Sequence, residues 1–336
     1  MTERDLVHAL ADGWDIRSAA LRYAPVGGGS YHWVVRDDQG ERRFVTVDDL
    51  DHKGWLGPTR STVFAGLRAA MEAAVILRRD AALGFVVAPL PALDGQPLQP
   101  LGARHAVAVF PFLRGAAGGF GEVFSAPDRD ELVMMLAALH RVDPANPANP
   151  ANPANPANPV AVRLPQCEIG LPRRGDLEAA LRELGQPWRG GPFAEPARAL
   201  LAGAAGTLRR RLETLDQWAS EVAAAGETVI THGEPHPGNV IRVGHQIMLV
   251  DWDTVGLAPP ERDLWMMTSE TGEGLRRYTE LTGRPVDAAA LELYRLRWAL
   301  DDICAFVREL RAPHRSTAGA DHAWQTLERT IAQVMR

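Results

Sequence analysis

The sequence predicts an α+β protein with two lobes, a small antiparallel-sheet N-terminal lobe and a larger, mainly helical C-terminal lobe. Short β-branched and aromatic runs, separated by glycine-rich or polar turns, fill the first third of the chain. Longer segments with apolar residues at helical spacing dominate the remainder. With 336 residues, 46% of them hydrophobic, the chain is long enough for a buried core in each lobe. We place the lobes at residues 1–114 and 115–336.

The N-terminal lobe is predicted to contain a sheet and two helices. Residues 6–21 have helical spacing, and residues 61–79 form the strongest helix of this lobe because their apolar residues lie on one stripe. The predicted strands are two in residues 24–35, separated by a glycine turn, and one each at 43–47, 85–89 and 105–112.

The C-terminal lobe begins after a flexible glycine-rich segment, residues 115–121. Five Ala-Asn-Pro units form an insert that we bound at residues 144–159. Proline at every third position excludes helix and sheet there, so we expect an extended linker. Helices are predicted at residues 128–140, 176–184, 194–224 with a break near 203–206, 288–310 and 322–336.

Composition narrows the classes of function. The net charge is −6 and Lys53 is the single lysine, which makes nucleic-acid binding a poor fit. No apolar run reaches the about eighteen residues of a membrane span, and the polar start lacks the apolar segment of a signal peptide. Cys167 and Cys304 do not indicate a disulfide framework. We therefore expect a cytoplasmic monomer or dimer, with no nucleic-acid and no membrane partner.

The most informative stretch runs from residue 231 to residue 253, THGEPHPGNVIRVGHQIMLVDWD. Residues 232–239 are too rich in Gly and Pro for a helix or a central strand, so they form a loop. Residues 240–243 and 247–250 are predicted as the strands of a hairpin, which delivers Asp251 at its end. An acidic loop beside an acidic strand end suits phosphoryl transfer, because that reaction depends on positioning and divalent cations.

The spacing of three polar residues in this stretch carries a resemblance. Asn239 follows Glu234 by five residues, and Asp251 follows Asn239 by twelve. The stretch resembles the aminoglycoside phosphotransferase family, a branch of the protein-kinase-like fold that also holds choline and homoserine kinases. The resemblance implies that Glu234 is the catalytic base and that Asn239 and Asp251 bind the metal. It also implies structural places for His232 in the loop and for Asp263 in the following Pro-Glu-Arg-Asp-Leu run.

One residue departs from the family pattern. Glu234 stands where most members have Asp, and a carboxylate displaced by roughly an ångström can cost ~100-fold in rate unless the backbone compensates. Glu and Asp have similar basicity, so we interpret Glu234 as a working base. The alternative is a protein that has lost its base and acts as a nucleotide-binding pseudokinase scaffold.

The resemblance also implies a nucleotide site in the N-terminal lobe. Three adjacent glycines followed by serine allow close approach of the backbone to a phosphate. Aromatic residues near the end of the last strand would form the walls of an adenine pocket. The residues assigned to the nucleotide are Gly27, Gly28, Gly29, Ser30, Thr46, Phe110 and Phe112.

The lysine that kinases carry on the third strand is missing, and Thr46 occupies its place. Arg43 and Lys53 are the nearest cations; either could reach inward, or both could be solvated surface residues. Glu72, on the helix at residues 61–79, could pair with a phosphate-binding cation or could be a solvated helix residue.

Candidate acceptor residues lie on the helix at 288–310, because family members place acids from this region around the acceptor. Asp301 and Asp302, with Trp298, are the candidates, and a solvated helix face is the alternative.

The sequence therefore predicts an O-phosphotransferase with an alcohol group as acceptor. It would use ATP, with GTP as the alternative, and Mg²⁺ to phosphorylate a small hydroxyl-bearing molecule. An aminoglycoside or another sugar-containing antibiotic is the first expectation, and a choline-, homoserine- or sugar-like metabolite is the alternative. A metal-dependent hydrolase built on His232 and His236 is a further alternative.

Overall fold

The computed structural model describes residues 2–17, 20–26, 29–119, 121–145 and 163–336. Two compact units are present, one formed by Met1–Gln166 with Thr228–Pro285 and the other by Cys167–Glu227 with Val286–Arg336. The first unit contains the predicted N-terminal lobe together with the acidic hairpin. This partition differs from a division at residue 114, and the two lobe boundaries stay predictions. The Ala-Asn-Pro units from residue 146 onwards lie outside the described residues.

The first unit opens with a sheet between two helices. Its described part contains α1 (Glu3–Trp14), β1 (Ala20–Tyr23), β2 (Ser30–Arg36), β3 (Arg42–Asp49), α2 (Arg60–Arg79), β4 (Gln99–Leu101) and β5 (His105–Pro111). The strands pair antiparallel in the order β1-β2-β3-β5-β4, so an antiparallel sheet is present as predicted. Its strands differ in part from the prediction, because β1 begins within the helix predicted at residues 6–21 and β4 was not predicted.

Successive side chains of β3 point to opposite faces of this sheet. Val45 and Val47 pack with Leu6 and Leu10 of α1. Asp48 pairs in register with Ser30 on β2 and with Ala106 on β5, and Ala106 packs against α2. The even-numbered residues of β3 therefore share the face that α2 covers.

The rest of the first unit surrounds the predicted hairpin. It contains β6 (Ala116–Ala117), α3 (Ala126–His140), β7 (Val229–Thr231), β8 (Val240–Val243), β9 (Gln246–Leu249), β10 (Gly256–Ala258), α6 (Glu261–Leu264) and α7 (Glu273–Thr282). Strands β8 and β9 pair antiparallel with Val240 opposite Leu249, which confirms the hairpin. Strand β7 pairs with β10.

The strand predicted at residues 85–89 does not form. Val86 forms only an isolated β-bridge with Leu249. In this bridge the N–H of Leu249 donates to the carbonyl of Phe85, and the carbonyl of Leu249 accepts the N–H of Val87. Pro89 has no N–H with which to extend a ladder, so the apolar run stays an extended segment.

The second unit is helical in its described part. It contains α4 (Arg174–Arg182), α5 (Ala194–Ala225), α8 (Ala288–Arg311) and α9 (Ala318–Val334). The predicted break in α5 is wrong, because the helix is continuous through Gly203 and Gly206. A helical glycine costs about 1 kcal/mol, and the buried residues Leu201, Leu208 and Leu212 pack the helix on both sides of the pair.

A sheet followed mainly by helices confirms the α+β class. Within the described residues, no helix combines the length and apolar character that crossing a bilayer requires.

Candidate active site

A buried histidine ring holds the loop from His232 to Asn239. Nε2 of His232 lies 2.9 Å from the carbonyl oxygen of Val250, and the backbone N–H of Glu234 donates to Nδ1 of the ring at 3.2 Å. Because a carbonyl only accepts and an N–H only donates, the ring carries its hydrogen on Nε2. Burial lowers the pKa of His232 to about 4, so the ring is neutral at pH 7. It connects the loop to the residue before Asp251.

The carboxylate of Asp263 holds the start of the same loop. It accepts the backbone N–H of His232 at 2.8 Å and that of Gly233 at 2.6 Å, and it lies 3.1 Å from Nε2 of His140. Burial would raise the pKa of Asp263, but the hydrogen bond and charge of His140 lower it below its ordinary value. Nδ1 of His140 in turn lies 2.9 Å from the hydroxyl of Tyr278. This role of His140 was not predicted from the sequence.

Gly233 is the position in this loop where a side chain cannot fit. Its φ is +101°, and an added Cβ would lie 2.3 Å from a guanidinium nitrogen of Arg262. That guanidinium donates to Oγ1 of Thr231 at 2.8 Å and to the carbonyl of Thr254 at 2.9 Å. Glycine therefore lets the loop backbone pass directly against Arg262.

Asn239 connects Glu234 to the end of β9. Its side-chain nitrogen donates to the carbonyl oxygen of Glu234 at 3.0 Å, and its own carbonyl accepts the N–H of Val250 at 2.9 Å. The side chain is buried. Because the amide nitrogen is occupied, the amide oxygen is the atom that can coordinate a ligand.

Asp251 follows directly in a left-handed backbone conformation, with a φ of 64°. This region is uncommon for a residue with a side chain, and such conformations cluster at functional sites. The residue is accessible to solvent, so we attribute its pKa shift to like charges. Asp253 is the largest cause, and with Glu234 it raises the pKa of the Asp251 carboxyl well above its ordinary value, whereas Lys53 opposes the shift. The loop and the hairpin therefore bring Glu234 and Asp251 within electrostatic reach of each other.

Lys53 is buried beside this acidic group and is not a solvated surface residue. It is 4% exposed, and its Nζ lies 2.5 Å from Oδ2 of Asp253 and 3.0 Å from Oδ1 of Asp48. Burial alone would lower the pKa of Lys53, but the charges of Asp253, Asp48 and Asp251 raise it above its ordinary value. Arg43, the other candidate cation, is half-buried and pairs with Glu41 at 3.3 Å.

From the sequence alone, Lys53 could lie either inward or in solvent. One signal favoured the inward position: a chain with 36 Lys and Arg residues uses lysine once, directly after a segment with three aspartates. Its partner Asp253 is 200 residues away, and local sequence gives no indication of that contact.

The predicted nucleotide residues of β2 and β3 lie on the face that α2 covers. The Ser30 hydroxyl donates to Oδ1 of Asp48 at 2.6 Å, and Oγ1 of Thr46 lies 3.2 Å from Nδ1 of His32. Gly29 has a φ of +82°, which glycine adopts without strain. Gly27 and Gly28 lie outside the described residues.

The two predicted aromatic walls differ in their surroundings. Phe110 is half-buried against the core cluster beneath α2. The ring of Phe112 lies 4.1 Å from the guanidinium carbon of Arg42.

The predicted acceptor residues lie on α8 of the second unit. Asp301 pairs with Arg173 at 3.0 Å. Asp302 is half-buried, and its pKa is raised to about 6, first by burial and then by the charge of Asp301. Trp298 is also half-buried. None of the three is fully solvated, and their roles stay predictions.

The metal-dependent hydrolase is wrong, because both ring nitrogens of His232 are already hydrogen-bonded. Among the residues that the structure describes, no three His, Cys, Asp or Glu side chains are grouped to hold a metal ion.

The match of the chain to known families decides its membership. Residues 8–306 match APH, the phosphotransferase enzyme family. The chain belongs to this family. The predicted enzyme class, an O-phosphotransferase with an alcohol acceptor, is thereby confirmed, and the resemblance extends far beyond the stretch that suggested it.

Several solved structures share the fold of this chain. Spectinomycin phosphotransferase, solved with ADP and spectinomycin, gives a TM-score of 0.74 at 14% identity, covering 99% of this chain and 97% of that chain. A microcompartment-associated aminopropanol kinase gives a TM-score of 0.62 at 18% identity, covering 100% of this chain and 97% of that chain. A choline/ethanolamine kinase family protein from Mesorhizobium loti gives a TM-score of 0.56 at 14% identity, covering 100% of this chain and 94% of that chain. The protein-kinase-like fold is therefore confirmed. No curated protein sequence matches the chain significantly.

Proposed function

We propose that this phosphotransferase binds ATP, with GTP as the alternative, and Mg²⁺, and that it transfers the γ-phosphoryl group to a hydroxyl of an aminoglycoside or another sugar-containing antibiotic. It would act in the cytoplasm and confer antibiotic resistance. The observation that supports this most strongly is the contact of Asn239 with Glu234, next to Asp251, on a rigidly held loop and hairpin.

In this proposal Glu234 accepts or orients the proton of the acceptor hydroxyl. A general base must come within hydrogen-bond reach of the proton that it takes. The hydrogen bond of the Glu234 backbone to His232 and the contact of its carbonyl with Asn239 fix the backbone from which its carboxylate extends. A fixed backbone restricts where the longer side chain can place its carboxylate, which favours a working base.

Asn239 and Asp251 would hold Mg²⁺. The donor set fits this ion, because it offers an amide oxygen and an accessible carboxylate in surroundings where like charges raise the pKa of Asp251. Mg²⁺ at phosphate sites uses one or two carboxylates plus phosphate oxygens, so a cage of three acids is not required. When bound, Mg²⁺ would neutralise charge on the β- and γ-phosphates.

Lys53 would replace the missing strand lysine. Its raised pKa keeps it an ammonium at neutral pH, and it lies among acids next to the metal residues. The remainder of the nucleotide would contact the predicted residues Gly27, Gly28, Gly29, Ser30, Thr46, Phe110 and Phe112.

The acceptor would contact Asp301, Asp302 and Trp298. The similar structures are named for spectinomycin, aminopropanol and choline or ethanolamine. That breadth makes a kinase of small amino alcohols or related metabolites the second candidate.

A substrate screen tests the function. Purified protein with ATP or GTP and Mg²⁺ would be incubated with aminoglycosides, other sugar-containing antibiotics and amino alcohols, and nucleotide consumption and added phosphoryl mass would be measured. We expect phosphorylation of one acceptor class and none with Asp251→Asn. Nucleotide binding without turnover across the panel would contradict the proposal and favour a pseudokinase scaffold.

A further inference from the structure

We propose that Asp48 on β3, together with Asp253, positions Lys53 for the nucleotide phosphates, and that Asp48 takes the place of an acid from helix α2. This inference rests on the function proposed above. It identifies Asp48 as a positioning residue, since its contacts are with Lys53 and Ser30.

Asp48 receives two donors on a single oxygen. Its Oδ1 lies 3.0 Å from Nζ of Lys53 and accepts the Ser30 hydroxyl at 2.6 Å. Asp48 and Lys53 are each 4% exposed, so water does not screen the pair. A continuous polar chain therefore runs from Ser30 at the end of the glycine turn through Asp48 and Lys53 to Asp253.

Helix α2 does not supply a partner for this lysine. Glu72 is the only acidic residue in its sequence. The Glu72 side chain is 48% exposed and pairs with Arg68, one turn earlier, at 3.6 Å. The solvated position considered for Glu72 is therefore the one found, and the ammonium of Lys53 is held by carboxylates outside the helix.

The carboxylate of the neighbouring acid, Asp49, binds other partners than Lys53. Adjacent residues of a strand point to opposite faces of the sheet. The carboxylate of Asp49 accepts Nη2 of Arg104 at 2.6 Å and Nε of the same side chain at 2.9 Å. It also accepts the backbone N–H of Asp51 at 3.1 Å. Asp48 is thus the acid of this strand that is directed to Lys53.

A short turn brings Asp48 and Lys53 together. Only four residues separate them, and the 3₁₀ segments Leu50–His52 and Gly54–Leu56 reverse the chain on either side of Lys53. The N–H of Leu56 donates to the carbonyl of Lys53 at 3.0 Å. Leu50 and Leu56 of these segments pack against Val63 and Leu67 of α2. The helix therefore supports the turn through apolar contacts, whereas Asp48 supplies the charge that meets the ammonium of Lys53.

The single lysine of the chain makes the test direct. Protein labelled with ¹³C,¹⁵N-lysine gives one side-chain lysine signal, that of Lys53. Spectra and calorimetric titrations with Mg²⁺ and AMP-PNP would be recorded for wild type, for Asp48→Asn and for Glu72→Gln as the matched control.

We expect the Lys53 signal of Asp48→Asn to move towards that of a solvated lysine. Nucleotide affinity should fall by about 10- to 100-fold, because a charge-assisted hydrogen bond is lost. The number of binding sites should stay unchanged, whereas a merely structural defect would reduce that number and leave the affinity of the folded fraction alone. Glu72→Gln should match wild type in every measurement.

Wild-type signal and affinity in Asp48→Asn, or weakened affinity in Glu72→Gln, would overturn the inference. Failure of the proposed function looks different: the Lys53 signal of the wild type would not respond to the nucleotide. If Asp48→Asn does not fold, Ser30→Ala removes one donor from the same oxygen. It should shift the Lys53 signal and weaken binding several-fold, about the worth of one hydrogen bond, and an unchanged signal would overturn the inference.

Discussion

Lys53 and Asp253 are 200 positions apart in the sequence, and their Nζ and Oδ2 atoms lie 2.5 Å apart in the first unit. Asp48 completes the group on the other side of the ammonium. Removing the cation from such a buried group leaves carboxylates without compensation, which is more costly than removing the whole group.

Lys53→Met should therefore lower the free energy of unfolding by roughly 3–5 kcal/mol. The double variant Lys53→Met with Asp253→Asn should recover part of that loss, because only the Asp48 carboxylate is then left buried without its cation. Urea denaturation of wild type, the single and the double variant measures both effects. A Lys53→Met protein as stable as wild type would show that the ion pair is not formed in solution.

His232 should make stability depend on pH. Its pKa is lowered to about 4 by burial, so between roughly pH 6.5 and pH 4 the unfolded chain binds a proton that the folded chain does not. Stability from this residue is complete above that range and falls as the pH falls through it, by about 3 kcal/mol in total.

Comparison with His232→Gln isolates this contribution. The pKa of Asp302, raised to about 6, acts in the opposite direction, because its stabilising protonated form is lost as pH rises. Both proteins contain Asp302, so its effect cancels in the difference. The stability difference between wild type and His232→Gln should shrink from pH 7 to pH 4.5. A constant difference would contradict a neutral, buried ring.

Glu234→Gln should reduce kcat by about 100- to 10,000-fold if the carboxylate is the base or orients the acceptor hydroxyl. The KM for ATP should change little, because the amide keeps the size of the side chain. Glu234→Asp keeps the charge and should retain more activity than Glu234→Gln. Glu213→Gln, an exposed acid on α5, is the control and should match wild type. Steady-state kinetics on the acceptor from the screen would decide, and full activity of Glu234→Gln would remove Glu234 from the mechanism.

Asp251→Asn should abolish phosphoryl transfer and leave the fold intact. Because the charge of Asp253 raises the pKa of Asp251, the folded state disfavours the ionised carboxylate, and Asp251 lowers stability at neutral pH. The variant should therefore have an equal or higher Tm without divalent cations, and it should lose the Tm increase that Mg²⁺ with AMP-PNP gives the wild type. A lower Tm without metal would mean that Asp251 stabilises the fold instead.

Local signals explain what the sequence predicts well. The hairpin of β8 and β9 is encoded by two apolar runs around Gly244, and Asp251 follows from the end of the second run. The class of enzyme follows from the resemblance to the phosphotransferase family, which the spacing of Glu234, Asn239 and Asp251 carries.

The features that the sequence does not predict depend on long-range packing. The ion pair of Lys53 depends on a partner 200 residues away. The two glycines of α5 resemble a helix break until the buried leucines around them are seen. The run at residues 85–89 has strand composition, yet in the described part of the chain its β-pairing is limited to one isolated bridge with Leu249. The hydrogen bond of His140 to Asp263 spans 123 residues and has no local signature.

A crystal structure with Mg²⁺ and AMP-PNP tests the central claim most directly. We predict a metal ion about 2.1 Å from the Asn239 amide oxygen and from the Asp251 carboxylate, with Lys53 on a phosphate oxygen and the Glu234 carboxylate facing the terminal phosphate. A nucleotide bound elsewhere, or a metal ion that touches neither Asn239 nor Asp251, would contradict the account.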